Sequence, residues 1–283
     1  MIRMFEFIKH SGDTLKKIWG TETWIFSAHP DNPSIVEVND RTYNFLHLFK
    51  KRREAILGNL GYKEFPILVK IIDPKETLSV QVHPSDVDAE KLGEKDRGKD
   101  EAWVVLSKNG FVYLGFEGEV SYEELRKNVV KKMHKIDVKR LDAINIPAGI
   151  LHALGKNTKV LEVSTNSNIT YRVYDFERGR ELHLDKALKV IKKRPIEELI
   201  LGSIKEKPVS TNFFEIKYLQ LNKALKFSID TFRILVCTRG EAIVRGQKEE
   251  ISITQGENIL VPASTKRFII EGKDAEMFLI SAK

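Results

Sequence analysis

Hydrophobic and polar positions alternate strictly in the middle of the chain. In Thr77-Leu78-Ser79-Val80-Gln81-Val82-His83, the apolar Leu78, Val80 and Val82 fall on one face of a strand, and Ser79, Gln81 and His83 on the other. Lys159 to Ser164 alternates in the same way, with Glu162 and Ser164 opposite Leu161 and Val163. Alternating or apolar runs at 67–83, 101–116, 135–146, 159–164 and 170–176 are separated by turn residues, the pattern of a β-sandwich or jelly roll. Helices are expected in three places: over Leu46, Phe49 and Ala55-Ile56-Leu57 ahead of Gly58, behind the capping box Ser121-Tyr122-Glu123-Glu124, and from Asp185 to Lys193. Lys205-Glu206-Lys207-Pro208 reads as a linker, and from about 211 the chain is again rich in strands.

The expected fold is mainly β, two jelly-roll barrels with a few peripheral helices, divided into a larger domain at 1–203 and a smaller β domain at 211–283. A length of 283 residues allows each domain a core. Apolar residues at 42% and charged residues at 31% describe a soluble globular chain. Cys237 is the single cysteine, so no intramolecular disulfide can form, and a reducing cytoplasm is the simplest compartment. Met1 to Phe7 shows no charged-then-apolar leader, and no apolar run is long enough to span a membrane. The net charge of +7 raises nucleic-acid or membrane binding, but the basic runs are short and mixed, and no nucleic-acid-binding motif accompanies them. A positive field also suits capture of an anionic small molecule.

Candidate chemistry sits on the polar faces. Gln81 and His83 point the same way, so an amide oxygen and an imidazole can reach one ion. A strand histidine by itself is more often an ordinary hydrogen-bonded residue. Glu101 opens Glu101-Ala102-Trp103-Val104-Val105-Leu106 after the charged loop Pro84 to Asp100, and His152 follows a turn containing Pro147 and Gly149. Glu162 is either an exposed carboxylate or, if its face turns inward, a costly buried one that needs a partner or a function.

The order Gln-x-His, then Glu, then Pro-x-Gly-x-x-His resembles the ligand order of the cupin superfamily. Trp19-Gly20, Ser27-Ala28-His29-Pro30, Leu78 to Pro84, Lys99-Asp100-Glu101-Ala102-Trp103, Ile146 to Ala153 and Tyr171-Arg172-Val173-Tyr174-Asp175-Phe176 resemble, in order, the motifs of type I mannose-6-phosphate isomerases in their short bacterial and archaeal form. The resemblance implies a zinc-dependent aldose–ketose isomerase, with Zn²⁺ on Gln81, His83, Glu101 and His152. It implies Arg172, Lys99, Glu162 and His29 as catalytic residues, and Ser79, Lys99 and Arg172 as contacts to a sugar phosphate. Asn168 departs from the family, which often has Asp four residues before the arginine, and an amide cannot act as a general base.

The residue chemistry agrees with this implication. Moving a carbonyl between C1 and C2 requires proton removal from carbon and stabilisation of an enediolate, and a 6-phosphate dianion requires cations. The tail, with Gly256-Glu257-Asn258-Ile259-Leu260-Val261-Pro262-Ala263 as counterpart of the turn before His152, looks like a degenerate cupin without metal ligands, since no histidine follows His183. Alternatives are a cupin glucose-6-phosphate isomerase, a non-haem Fe(II) oxygenase or a non-catalytic sugar-binding regulator. The chain is expected to act as a monomer or homodimer, without nucleic-acid or membrane partners.

Overall fold

The computed structural model describes residues 5–12 and 14–283; Met1 to Met4, where the segment read for a leader begins, lie outside the described residues. Its contacts divide into two compact units. One comprises Thr14–Thr23 and Val69–Glu206; the other comprises residues 5–12, Trp24–Leu68 and Lys207–Lys283. One boundary of this division falls between Glu206 and Lys207, and the early segments group with the tail. The strand Ile8–His10 pairs with Asn258–Val261, Ile8 opposite Leu260, and on its other side with Ile35–Val38. Alternation along a strand reports which face a residue takes. It does not report a partner strand some 250 positions away.

The unit containing Val69–Glu206 has two antiparallel sheets. The five-stranded sheet runs His134–Lys139, Asn109–Leu114, His152–Leu154, Val80–Val82, Tyr171–Tyr174. The seven-stranded sheet runs Ile200–Ser203, Asp142–Ile146, Glu101–Val105, Val160–Thr165, Ile67–Pro74, Gly20–Ile25, Thr14–Lys17. Trp103, Val105 and Ile144 of the larger sheet form one core with Val112, Leu114 and Leu154 of the smaller. The expected barrel is thus a jelly-roll sandwich whose two sheets remain separate. A second core covers the opposite face of the five-stranded sheet, where Val80, Val82, Tyr171 and Val173 meet Leu125, Leu184 and Ala187 from helices. Val80 and Val82 therefore pack under helices while Gln81 between them turns into the sandwich; Leu78, ahead of the strand Val80–Val82, departs from the expected alternation and packs in the sandwich core.

The other unit repeats the two-sheet plan with eight and four strands. Its core takes Leu235, Cys237, Ile259, Val261, Met277 and Leu279 from one sheet and Val244, Ile253, Phe268 and Ile270 from the other.

All three expected helices form, as Phe45–Leu57, Tyr122–Asn128 and Leu184–Val190. Asn44 caps the first, its side-chain oxygen accepting from His47 N–H, and the Ser121 hydroxyl oxygen accepts from Glu124 N–H. Part of the loop from Pro84 to Asp100 is also helical, Asp86–Lys91, because Ser85 caps it and Asp86 and Asp88 occupy its first turn. No helix among the described residues is long and apolar enough to cross a membrane.

Two glycines hold the loops that feed the site. Gly149, at φ +94°, makes the turn before His152, and its N–H donates to the His83 carbonyl at 2.8 Å. Gly98 packs against backbone: a Cβ there would lie 2.2 Å from Asp86 N and 2.8 Å from the Pro84 carbonyl oxygen. Gly98→Ala must therefore move the chain that carries Lys99 and Glu101. A loss of about 1–3 kcal/mol is expected from such overpacking, read as a lower urea midpoint at unchanged slope. An unaltered midpoint would show that the loop accommodates the methyl group.

Candidate metal centre

Strand register brings the polar faces together. His152 is the cross-strand partner of Gln81, and Arg172 pairs with Gln81 from the other side. In the facing sheet Ser164 lies opposite Glu101 and Glu162 opposite Trp103. Every residue of Glu101–Val105 and Val160–Thr165 is buried, so Glu101 and Glu162 point into the sandwich and not into solvent. Among the described residues, His83, Glu101 and His152 form a buried group whose ligand atoms all lie within 4.8 Å of one another.

Hydrogen bonds set the form of both rings. His83 Nδ1 lies 2.7 Å from the Ile169 carbonyl oxygen and His152 Nδ1 lies 2.8 Å from that of Ile150. A carbonyl oxygen only accepts, so each Nδ1 carries the hydrogen and donates it. In the neutral rings both Nε2 atoms are then lone pairs, and they lie 3.5 Å (His83) and 3.1 Å (His152) from Glu101 carboxylate oxygens. Burial, followed by the charge of Lys99, pulls the His83 pKa down to about 3 against the opposing pull of Glu101, which keeps the ring neutral. At His83 an acceptor therefore faces an acceptor in a buried site. His83 Nε2 is buried without a hydrogen-bond partner, and Glu101 Oε2 is paired with the Lys99 ammonium at 2.5 Å.

A divalent cation resolves that conflict, because it turns facing lone pairs into ligand bonds. Two imidazole nitrogens and a carboxylate match an ion of borderline softness. Gln81 adds a fourth donor within reach: its amide nitrogen lies 3.2 Å from His152 Nε2, and turning the amide over presents the oxygen there. The residues present fit a metal.

Beside this group runs a chain of buried charges. Lys99 Nζ lies 3.0 Å from Glu162 Oε1 as well as 2.5 Å from Glu101, and Lys70 Nζ lies 3.6 Å from Glu162 Oε1. Trp103 Nε1 donates to Glu162 Oε2 at 3.4 Å. Burial alone would lower the Lys99 pKa, but Glu101 and Glu162 together raise it and keep the ammonium charged. Burial likewise opposes ionisation of Glu101, yet Lys99 and then the imidazoles hold its pKa well below the usual range.

A cavity of about 300 Å³ opens next to these groups. Ser79, Gln81, Lys99, Glu162 and Arg172 line it, together with Lys17, Trp19, Glu22, Lys70, Asn168 and Arg180. His29 belongs to the other unit, where Asp31 N–H donates to its Nδ1 at 3.2 Å. Lys70, Glu22 and Arg180 were not singled out from the sequence. For Lys70 a signal existed, a charge at a core-facing position in the apolar run Ile67-Leu68-Val69-Lys70-Ile71-Ile72. Glu22 and Arg180 sit in segments whose local pattern carries no such mark.

Residues 12–102 match the model of the phosphomannose isomerase type I catalytic domain, and residues 203–281 match that of the mannose-6-phosphate isomerase cupin domain. A mannose-6-phosphate isomerase from Streptococcus mutans is 30% identical over 91% of this chain and 92% of its own length. The solved structure of an Archaeoglobus fulgidus protein, provisionally assigned as a mannosephosphate isomerase, superposes with a TM-score of 0.88 at 31% identity, covering 98% of each chain. At 15% identity the same fold recurs, with a TM-score of 0.80 over 98% of this chain and all of the other, in a mannose 6-phosphate isomerase solved with zinc bound. Sequence and structure agree: the chain belongs to the type I mannose-6-phosphate isomerase family.

Proposed function

We propose that the protein interconverts mannose 6-phosphate and fructose 6-phosphate, using one Zn²⁺ ion held by Gln81, His83, Glu101 and His152. The observation that carries this reading is the buried convergence of two imidazole lone pairs on the Glu101 carboxylate, beside a cavity with a cationic lining. Zinc suits two imidazoles and a carboxylate, and it is the ion in the distant relative solved with metal. When bound, a divalent ion supplies Lewis-acid polarisation of the substrate's carbonyl and neighbouring hydroxyl oxygens.

The remaining work falls to side chains. Glu162 is the carboxylate we assign to take the proton from carbon and return it to the neighbouring carbon, since Asn168 cannot. Lys99, 3.0 Å from Glu162, orients that carboxylate and offers an ammonium hydrogen to a sugar oxygen. Lys70 restrains the same carboxylate from the adjoining strand. Arg172 extends beside Gln81, and its guanidinium stabilises the negative charge of the enediolate. Ser79, on the same strand face as Gln81, contacts a sugar hydroxyl. His29, whose Nδ1 accepts from Asp31 N–H, is assigned no step here.

The direct test is a coupled assay of mannose 6-phosphate conversion. Activity is expected to disappear with EDTA and to return with added Zn²⁺; no conversion with any divalent metal would overturn the reading. His152→Ala should abolish both turnover and bound metal, and a variant that keeps either would sink the ligand assignment. Arg172→Ala should retain metal but lose about 2 kcal/mol or more of transition-state stabilisation, roughly 30-fold in kcat/KM. An unchanged kcat/KM would remove Arg172 from the reaction.

A further inference from the structure

The cavity has a dry end and a wet end. Lys99 and Glu162, next to the candidate metal ligands, have side chains only 4% exposed. Arg180 and Lys17, lining the same cavity, are 30% and 37% exposed. A phosphate dianion is the most strongly hydrated part of a hexose phosphate, whereas the reacting carbons need water excluded. The substrate should therefore enter with C1 and C2 inward and its phosphate at the end where Arg180 stands.

Arg180 is held there by a specific partner. Asp175, 3% exposed, takes two of its five N–H donors in a bidentate pair, from Nε at 2.8 Å and from Nη2 at 2.5 Å. Arg178 Nη2 lies 3.1 Å from the same carboxylate, and Arg172 Nη1 donates to the Glu181 carbonyl oxygen at 2.8 Å. The Asp175 carboxylate is thus shared by Arg180 and Arg178, and Arg180, which lines the cavity, keeps three further N–H donors for an anion. The connection itself is built for this shape, with Phe176 and Glu177 both at positive φ, 50° and 60°. The loop folds back on Asp175, and Arg180 reaches the cavity.

We propose that Arg180 anchors the substrate's 6-phosphate and that Asp175 is the positioning residue that aims it, leaving Arg172, the register partner of Gln81, for the charge that develops at the reacting carbons. This inference rests on the isomerase reading and adds the direction in which the substrate lies.

Steady-state kinetics on the zinc-loaded enzyme, with inorganic phosphate as a competitive inhibitor, test it. Arg180→Ala should raise KM for mannose 6-phosphate and the phosphate inhibition constant together by about tenfold or more, as loss of a charge-assisted contact does, with kcat nearly unchanged. Asp175→Asn should move both constants in the same direction, and Asp175→Glu should restore part of the loss. If Asp175→Asn fails to fold, Arg180→Ala and Arg180→Lys decide the matter. A fall in kcat with KM and phosphate inhibition unmoved would overturn the proposal. Should the wild-type protein not isomerise mannose 6-phosphate, calorimetric binding of inorganic phosphate to wild type and Arg180→Ala still reads the anchor. Equal affinities would refute it, whatever the fate of the isomerase reading.

Discussion

Everything at this site depends on how four buried charges and two imidazoles share one buried space. Lys70, Glu162, Lys99 and Glu101 form an alternating chain of two cations and two carboxylates, each less than 5% exposed, and the chain ends against the lone pairs of His83 and His152. Such groups are costly to desolvate, and removing one member of a buried pair typically costs about 3–5 kcal/mol, because the other is left uncompensated. Apolar residues would pack the same volume more cheaply. The arrangement makes sense when its open valence, at Glu101 and the two Nε2 atoms, is closed by a metal ion.

The fold delivers most of these groups on strands. Gln81, Glu101, His152, Glu162 and Arg172 all sit on strands, and pairing in register determines which side chains meet. His83 lies one residue past its strand, tied by its backbone carbonyl to Gly149 and by its ring to Ile169. Lys99 comes from the loop before Glu101, whose close packing around Gly98 fixes it. Sites built on strands and braced loops hold their geometry better than sites on free loops. Arg180 likewise comes from a connection, the 175–181 turn.

Much of this could be read from the residues alone. Alternation identified Gln81 and His83 as sharing a face, and the turn chemistry of Pro147 and Gly149 marked the return that carries His152. The same alternation could not say that the polar face turns inward, because the apolar face is covered by helices that lie far along the chain, at Tyr122–Asn128 and Leu184–Val190. Glu162 remained ambiguous from sequence for that reason, and the structure buries it. Lys70, a lone charge in an apolar strand, is a visible anomaly whose partner, Glu162, lies far along the chain. The association of early segments with the tail was not legible, since no local pattern records that Ile8 pairs with Leu260. His29 carries weight only through its motif; its Nδ1 accepts from Asp31 N–H.

The central claim is that the buried group of His83, Glu101 and His152 requires a divalent cation. The most direct measurement is calorimetric titration of the chelator-stripped protein with Zn²⁺, paired with thermal unfolding before and after. Binding of one equivalent per chain with a clear rise in Tm is expected, since an ion bound only by the folded state stabilises it. An undisturbed Tm and no saturable binding at one equivalent would contradict the claim, and would mean that the acceptors at the centre are reconciled by protons alone.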